Sequence, residues 1–279
     1  MSKLSFTQSE NARSESLSFI KESIPKIIWE NNTNDIQKLK MLASQHPLFS
    51  SPILVRLNAQ QLQLEQLKDI HINYFNAIVK IFTDALSMLI YQAHQIENHK
   101  NLLPSQQFHA KIYARYLLSL NLIDELGFNT YSLELSSPTK SHLIYFLSLL
   151  EKLNINPSSQ YNVTQEAFDV QNFIQQHLNS YVNLLLILAV TELQVIKYSE
   201  ALRCNMEKFS PEYTQGYYDC HGIVDHSQKL ANDDNHEDDI WALFTQVFET
   251  EKYPQFEELL YQYLKVWNDF WHKLNSLTL

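Results

Sequence analysis

A carboxylate set among hydrocarbon is the first chemical signal in this sequence. Glu192 has Leu188, Ala189, Val195 and Ile196 three and four residues away, so on a helix it shares their apolar face. An unpaired ionised carboxylate in such surroundings costs several kcal/mol, so it must be protonated, paired with a cation or bound to a metal. The plain alternative to a metal is a salt bridge to one of the 21 lysines and arginines. Asp124 and Glu125, just before Gly127, put two carboxylates in the last turn of a helix, where the dipole favours cations. Glu125 lies beneath Leu118 and Leu122, and its charge needs compensation unless the pair is simply solvated. His142 shares a face with Tyr145, Phe146 and Leu149 and so points inward, as a ligand or as a satisfied core histidine. His221 and Asp225 stand one helical turn apart. That spacing lets two side chains hold one metal, and it equally suits a histidine hydrogen-bonded to a carboxylate.

Each signal is weak alone, and together they are stronger. A bundle that aims Glu125, His142, Glu192, His221 and Asp225 at its interior can hold one or two ions. Mixed histidine and carboxylate donors suit iron or manganese rather than a structural zinc. The ferritin-like arrangement needs Glu-x-x-His on two helices. That pattern occurs nowhere in the chain, which excludes it.

The elements that must position these residues are helices. Leu is the commonest residue and, with Gln, Glu, Lys and Ala, gives the chain much helix-forming content, and only three glycines occur: Gly127, Gly216 and Gly222. With so few, no glycine-rich phosphate loop or dinucleotide fingerprint can form, and no Asn-Gly hairpin turn is present. The prolines punctuate the chain. A first helical region runs from about 12 to 45, with Pro47 and Pro52 in the loop after it. A long helix from about Leu62 to Ile96 ends before Pro104, and another of about 107 to 126 ends at Gly127. A helix near 140 to 153 lies between Pro138 and Pro157, and one or two helices fill 164 to 208. Ser210-Pro211-Glu212 reads as a cap opening a helix of about 212 to 230. The acidic stretch Asp233 to Asp239 reads as a solvated linker and helix start, and Pro254 opens the last helix. The expectation is an all-α bundle of about seven to nine helices in a single domain, residues 1 to 279.

Net charge is −10, without the clustered basic face a nucleic-acid partner favours, so no nucleic-acid partner is expected. Cys204 and Cys220 make no disulfide framework, and with the polar N-terminal stretch they point to a reduced, cytoplasmic setting. Tyr181 to Ile196 is almost wholly apolar but carries Asn183, Glu192 and Gln194, so it is expected as a buried core helix rather than a membrane span.

These residues resemble the heme-oxygenase-like diiron oxidases, a group that includes the Chlamydia protein associating with death domains. Pyrroloquinoline-quinone synthase and thiaminase have related folds. His46-Pro47-Leu48-Phe49 through Pro52, Leu57 and Gln66-Leu67 looks like the family's entry segment. Asn121 to Glu125, Gly127, His142 and Phe146-Leu147 look like the segment carrying its first glutamate and histidine ligands, with an insertion at Phe128 to Lys140. Glu192 takes the place of the second glutamate, and His221 and Asp225 match the start of a His-x-x-x-Asp-x-x-His helix. Gln228 stands where the last histidine belongs, and on a regular helix His226 faces elsewhere. The resemblance implies iron, one or two ions, or manganese, held by Glu125, His142, Glu192, His221, Asp225 and Gln228. With Gln228 in place of imidazole, one metal site is weak, taken by manganese, or absent.

The implied function is a metal-dependent oxidase or oxygenase that uses dioxygen on a small-molecule substrate. The alternative is a catalytically degenerate protein of the same fold acting as an interaction or effector module, which Gln228 and the acidic surface favour. A thiaminase-like reading would need a cysteine nucleophile, and neither cysteine sits in a matching motif. Heme oxygenase activity has no assignable axial histidine. Bundles of this type often form homodimers, although no seam in the sequence marks an interface.

Overall fold

The computed structural model describes residues 9–129, 132–158, 162–220 and 233–278. They form an all-α bundle, and among the described residues there is no strand. The helices are α1 (Ser9–Glu22), α2 (Lys26–Ser44), α3 (Pro52–Asn58), α4 (Leu64–Tyr74), α5 (Lys80–Gln92) and α6 (Gln107–Glu125). Then follow α7 (His142–Lys152), α8 (Gln165–His177), α9 (Tyr181–Glu207), α10 (Tyr217–Cys220), α11 (Asp233–Val247) and α12 (Tyr253–Leu277).

Helix α9 is the axis of the fold. Every residue from Leu184 to Glu192 is buried, the signature of a helix surrounded by others on all sides. The Ser180 hydroxyl accepts from the Asn183 amide and caps its start. By length and composition α9 could cross a membrane, yet 72% of its most apolar window is buried inside the protein. It packs against α3, α5, α11 and α12. Helix α12 opens with Pro254 in its first turn and lays Phe256, Leu260, Trp267 and Trp271 into the core.

The expected helix of Leu62 to Ile96 is continuous from Leu64 to Gln92, but it is not uniform. Phe75–Val79 is a π-helical turn joining α4 to α5, and all five of its residues are buried. Such turns insert one residue into a helix and recur at functional sites. The first helical region divides at Pro25, which removes an amide donor and lets α2 begin afresh at Lys26. The helix expected from 212 begins instead at Tyr217. Pro211–Tyr213 is a separate 3-10 turn, and Gly216 at φ +85° breaks the path between them.

The acidic stretch before Trp241 opens α11 at Asp233, in line with the expected helix start, but its solvated reading is corrected at Asp239, which is only 4% exposed. The Arg13 guanidinium of α1 meets both Asp239 oxygens, at 3.0 and 2.8 Å, so the charge is compensated between helices far apart in sequence.

Candidate metal centre

The C-terminus of α6 and the start of α7 are brought together by one glycine. Gly127 has φ +84°, and α6 ends with Phe128 N–H on the Ile123 carbonyl and Gly127 N–H on that of Asp124, both at 2.9 Å. This is a Schellman closure, whose left-handed residue glycine supplies without steric cost. The chain then folds back on the glycine, and Ser137 N–H bonds its carbonyl at 3.0 Å. A Cβ at Gly127 would lie 2.4 Å from the Ser137 oxygen and 2.6 Å from the Ser141 nitrogen. Ser141 caps α7, so His142 is its first residue. The result sets His142 Nδ1 2.9 Å from Glu125 Oε1, with Asp124 Oδ2 3.8 Å from Nε2.

Both members of the pair are buried, Glu125 at 6% and His142 at 4% exposure. Burial pushes the imidazole pKa down. The Glu125 charge and hydrogen bonds with Cys220 and Glu125 outweigh it and hold His142 well above the usual histidine range. The compensation that Glu125 required is therefore this imidazole.

Glu192, 3% exposed on α9, faces the same region. Its Oε1 accepts from Asn121 Nδ2 at 3.3 Å, and Asn121 lies one turn before Glu125 on α6. Glu125, His142 and Glu192 line one small cavity, together with Ile78 and Val79 of the π turn, Phe82, Leu143, Val195 and Tyr217. The room for the centre of a water molecule is about 20 Å³. That is enough for a water or an ion. Among the described residues lining it there is neither lysine nor arginine.

Donor chemistry fits a ferrous or manganous ion, since the carboxylate and imidazole donors that line the cavity suit these metals. Geometry alone is less complete. Among the described residues, no three His, Cys, Asp or Glu side chains stand close enough to grip a single ion. His221, Asp225 and Gln228, and with them His226, lie outside the described residues. The structure thus joins Glu125 to His142 directly and puts Glu192 on the same cavity.

A phenol closes one wall. Tyr217 lines the cavity, and Tyr74 is fully buried in the core. Burial drives the Tyr74 pKa far up, and the neighbouring Ser199 and Tyr217 hydroxyls offset only part of that. Tyr218, next in sequence, meets His71. The sequence assigns no site role to Tyr74, Tyr217 or His71, gives Asn121 only as the start of the segment that carries Glu125, and offers Cys220 only as an unmatched cysteine. Asn121 carried a readable signal, being four residues before Glu125. Tyr74 and His71 carried none, because buried aromatic residues are ordinary core.

No protein-family model matches the chain, and no curated protein matches it. Among solved structures, a CADD-like protein of unknown function from Nostoc punctiforme is similar, with TM-score 0.61 and 11% identity. The match covers 89% of this chain and 99% of that one. At this identity the likeness establishes a shared helical fold.

Proposed function

We propose that this chain is a metal-dependent oxidase or oxygenase of the heme-oxygenase-like diiron type, acting on a small molecule with dioxygen. The observation that carries this reading is one small cavity lined by Glu125, His142 and Glu192 from three helices, with no lysine or arginine among the described residues of its wall. Two buried carboxylates beside one imidazole leave an excess of negative charge that a divalent cation would neutralise. The fold shared with a CADD-like protein supports it. Iron or manganese bound there would supply the one-electron chemistry that activates dioxygen.

The chain's own residues have distinct tasks. Glu125, His142 and Glu192 would hold the ion, with His221, Asp225 and Gln228 as the further donors that the resemblance implies. Asn121 fixes one oxygen of Glu192 and so orients the other. Ile78, Val79, Phe82, Leu143 and Val195 exclude bulk water.

Anaerobic loading with ferrous iron, followed by metal analysis, tests the reading. At least one iron per chain is expected, falling in Glu192→Ala. Absence of binding at neutral pH refutes it. The second reading, a degenerate interaction module, is favoured by Gln228. Oxygen uptake by the iron-loaded protein separates the two.

A further inference from the structure

Behind the cavity wall lies a buried phenol hydrogen-bonded to a buried imidazole. The Tyr218 hydroxyl is 2.6 Å from His71 Nε2, and His71 Nδ1 is 2.6 Å from the Leu67 carbonyl, one turn earlier on α4. A carbonyl only accepts, so Nδ1 carries the proton and Nε2 is left as the acceptor for the phenol. Both side chains have no exposed surface. Tyr217, which lines the cavity, stands edge-on to Tyr218 with ring centroids 5.5 Å apart.

We propose that Tyr218 and His71 form a redox-active tyrosine–histidine pair that donates one electron toward the adjoining cavity. The use of that electron rests on the oxygen-chemistry reading above; the oxidation of Tyr218 itself does not. In the step, Tyr218 loses one electron to a transition-metal oxidant, which in the test below is a ruthenium(III) complex reduced to ruthenium(II). The Tyr218 O–H bond breaks, and an N–H bond forms at Nε2 of His71. The products are a neutral tyrosyl radical, an imidazolium whose Nδ1–H stays on Leu67, and an oxidant reduced by one electron. Return of the electron returns the proton.

The arrangement suits that step for three reasons. A phenol in a dry core cannot release its proton to water, so oxidation needs a base already in place, and Nε2 is one. Oxidation turns the phenol into an acid far stronger than imidazolium, so transfer is downhill even to a weak base. Burial lowers the His71 pKa to about 4, against the smaller opposing effect of the Leu67 hydrogen bond, which keeps the ring neutral at rest and drives the proton back on re-reduction. Tyr181 supplies the internal contrast: it is also buried, and its hydroxyl has no hydrogen-bond partner among the described residues.

The test uses the full-length, metal-free chain with photogenerated ruthenium(III) polypyridyl as oxidant, read by freeze-quench electron paramagnetic resonance. Wild type is expected to give a long-lived tyrosyl radical. Tyr218→Phe should abolish it, and Tyr181→Phe should leave it unchanged. In His71→Gln an acceptor oxygen can remain while the base is lost, and radical formation should slow about 100-fold, the usual scale of general-base assistance. Circular dichroism checks the fold of each variant. A long-lived radical surviving in folded Tyr218→Phe, or formed at the wild-type rate in folded His71→Gln, overturns the proposal. Should His71→Gln not fold, wild-type oxidation in heavy water replaces it: slowing supports coupled proton transfer and an unchanged rate overturns it. Because no metal is present, failure here leaves the iron-binding result untouched.

Discussion

Replacing Gly127 by alanine should destabilise the protein by about 3–4 kcal/mol, and the figure can be assembled from the structure. The backbone at φ +84° costs an L-residue about 1–2 kcal/mol. The new methyl would meet three backbone atoms, the Ser137 oxygen, the Ser141 nitrogen and the Lys140 carbonyl carbon, at 2.4 to 2.7 Å. None is a flexible side-chain tip, so the returning loop must lift. Lifting it stretches the 3.0 Å bond from Ser137 N–H to the Gly127 carbonyl and disturbs the Ser141 cap, each worth about 1 kcal/mol. Urea denaturation of wild type and variant measures the difference directly. Gly127→Asn separates the contributions, since asparagine tolerates the left-handed region but carries the same Cβ. It should recover about 1 kcal/mol or less relative to alanine. If Gly127→Ala were within about 0.5 kcal/mol of wild type, the usual spread for neutral surface changes, the close approach would not hold the loop as described.

Three further outcomes follow from buried groups. His71 has a folded pKa near 4 against an ordinary 6.5, so the unfolded chain binds the proton first as pH falls. Its contribution to stability is complete above about pH 6.5 and lost toward pH 4, where wild type should have lost about 3 kcal/mol more than His71→Gln in parallel denaturation series; equal pH slopes would disprove it. Arg13→Ala leaves Asp239 buried without its guanidinium and should cost about 2–3 kcal/mol, below the full value for a buried pair because Arg13 keeps 16% exposure. Adding Asp239→Ala should restore part of that loss, and a double variant no better than the single one would contradict the coupling. Tyr263→Phe removes a 2.6 Å bond to Thr191 and should cost about 1 kcal/mol, whereas Tyr181→Phe deletes a hydroxyl without a partner and should be neutral or stabilising in thermal unfolding.

Much of the scaffold was legible because helices announce themselves locally. Gly127, Pro138 and Pro254 each act within a few residues, so the end of α6 and the starts of α7 and α12 could be read from the chain alone. The inward turn of His142, Glu125 and Glu192 was legible too, because a carboxylate or imidazole among leucines has few places to go. What failed depended on distant partners. Asp233 to Asp239 looks solvated until Arg13, more than two hundred residues earlier, is seen against Asp239. The division at Pro25 was missed because both flanks remain helical. The His71–Tyr218 bond joins residues 147 positions apart, and neither carries a local pattern that marks it.

The wide turn at Phe75–Val79 holds one residue more than an α-helical path between α4 and α5 would need. Deleting a single position there, Ala77 for instance, would allow an unbroken α-helix. The wide turn winds less per residue and so absorbs its extra position, which means that side chains beyond it, Phe82 among them, would keep their facing after the deletion. The change would be local: Ile78 and Val79 line the cavity from within the turn and would lose the outward bow of the backbone, while His71 and Tyr74 stayed where they are. A related chain one residue shorter at this point would therefore keep the α5 side of the chamber and differ in the stretch of wall that the wide turn supplies.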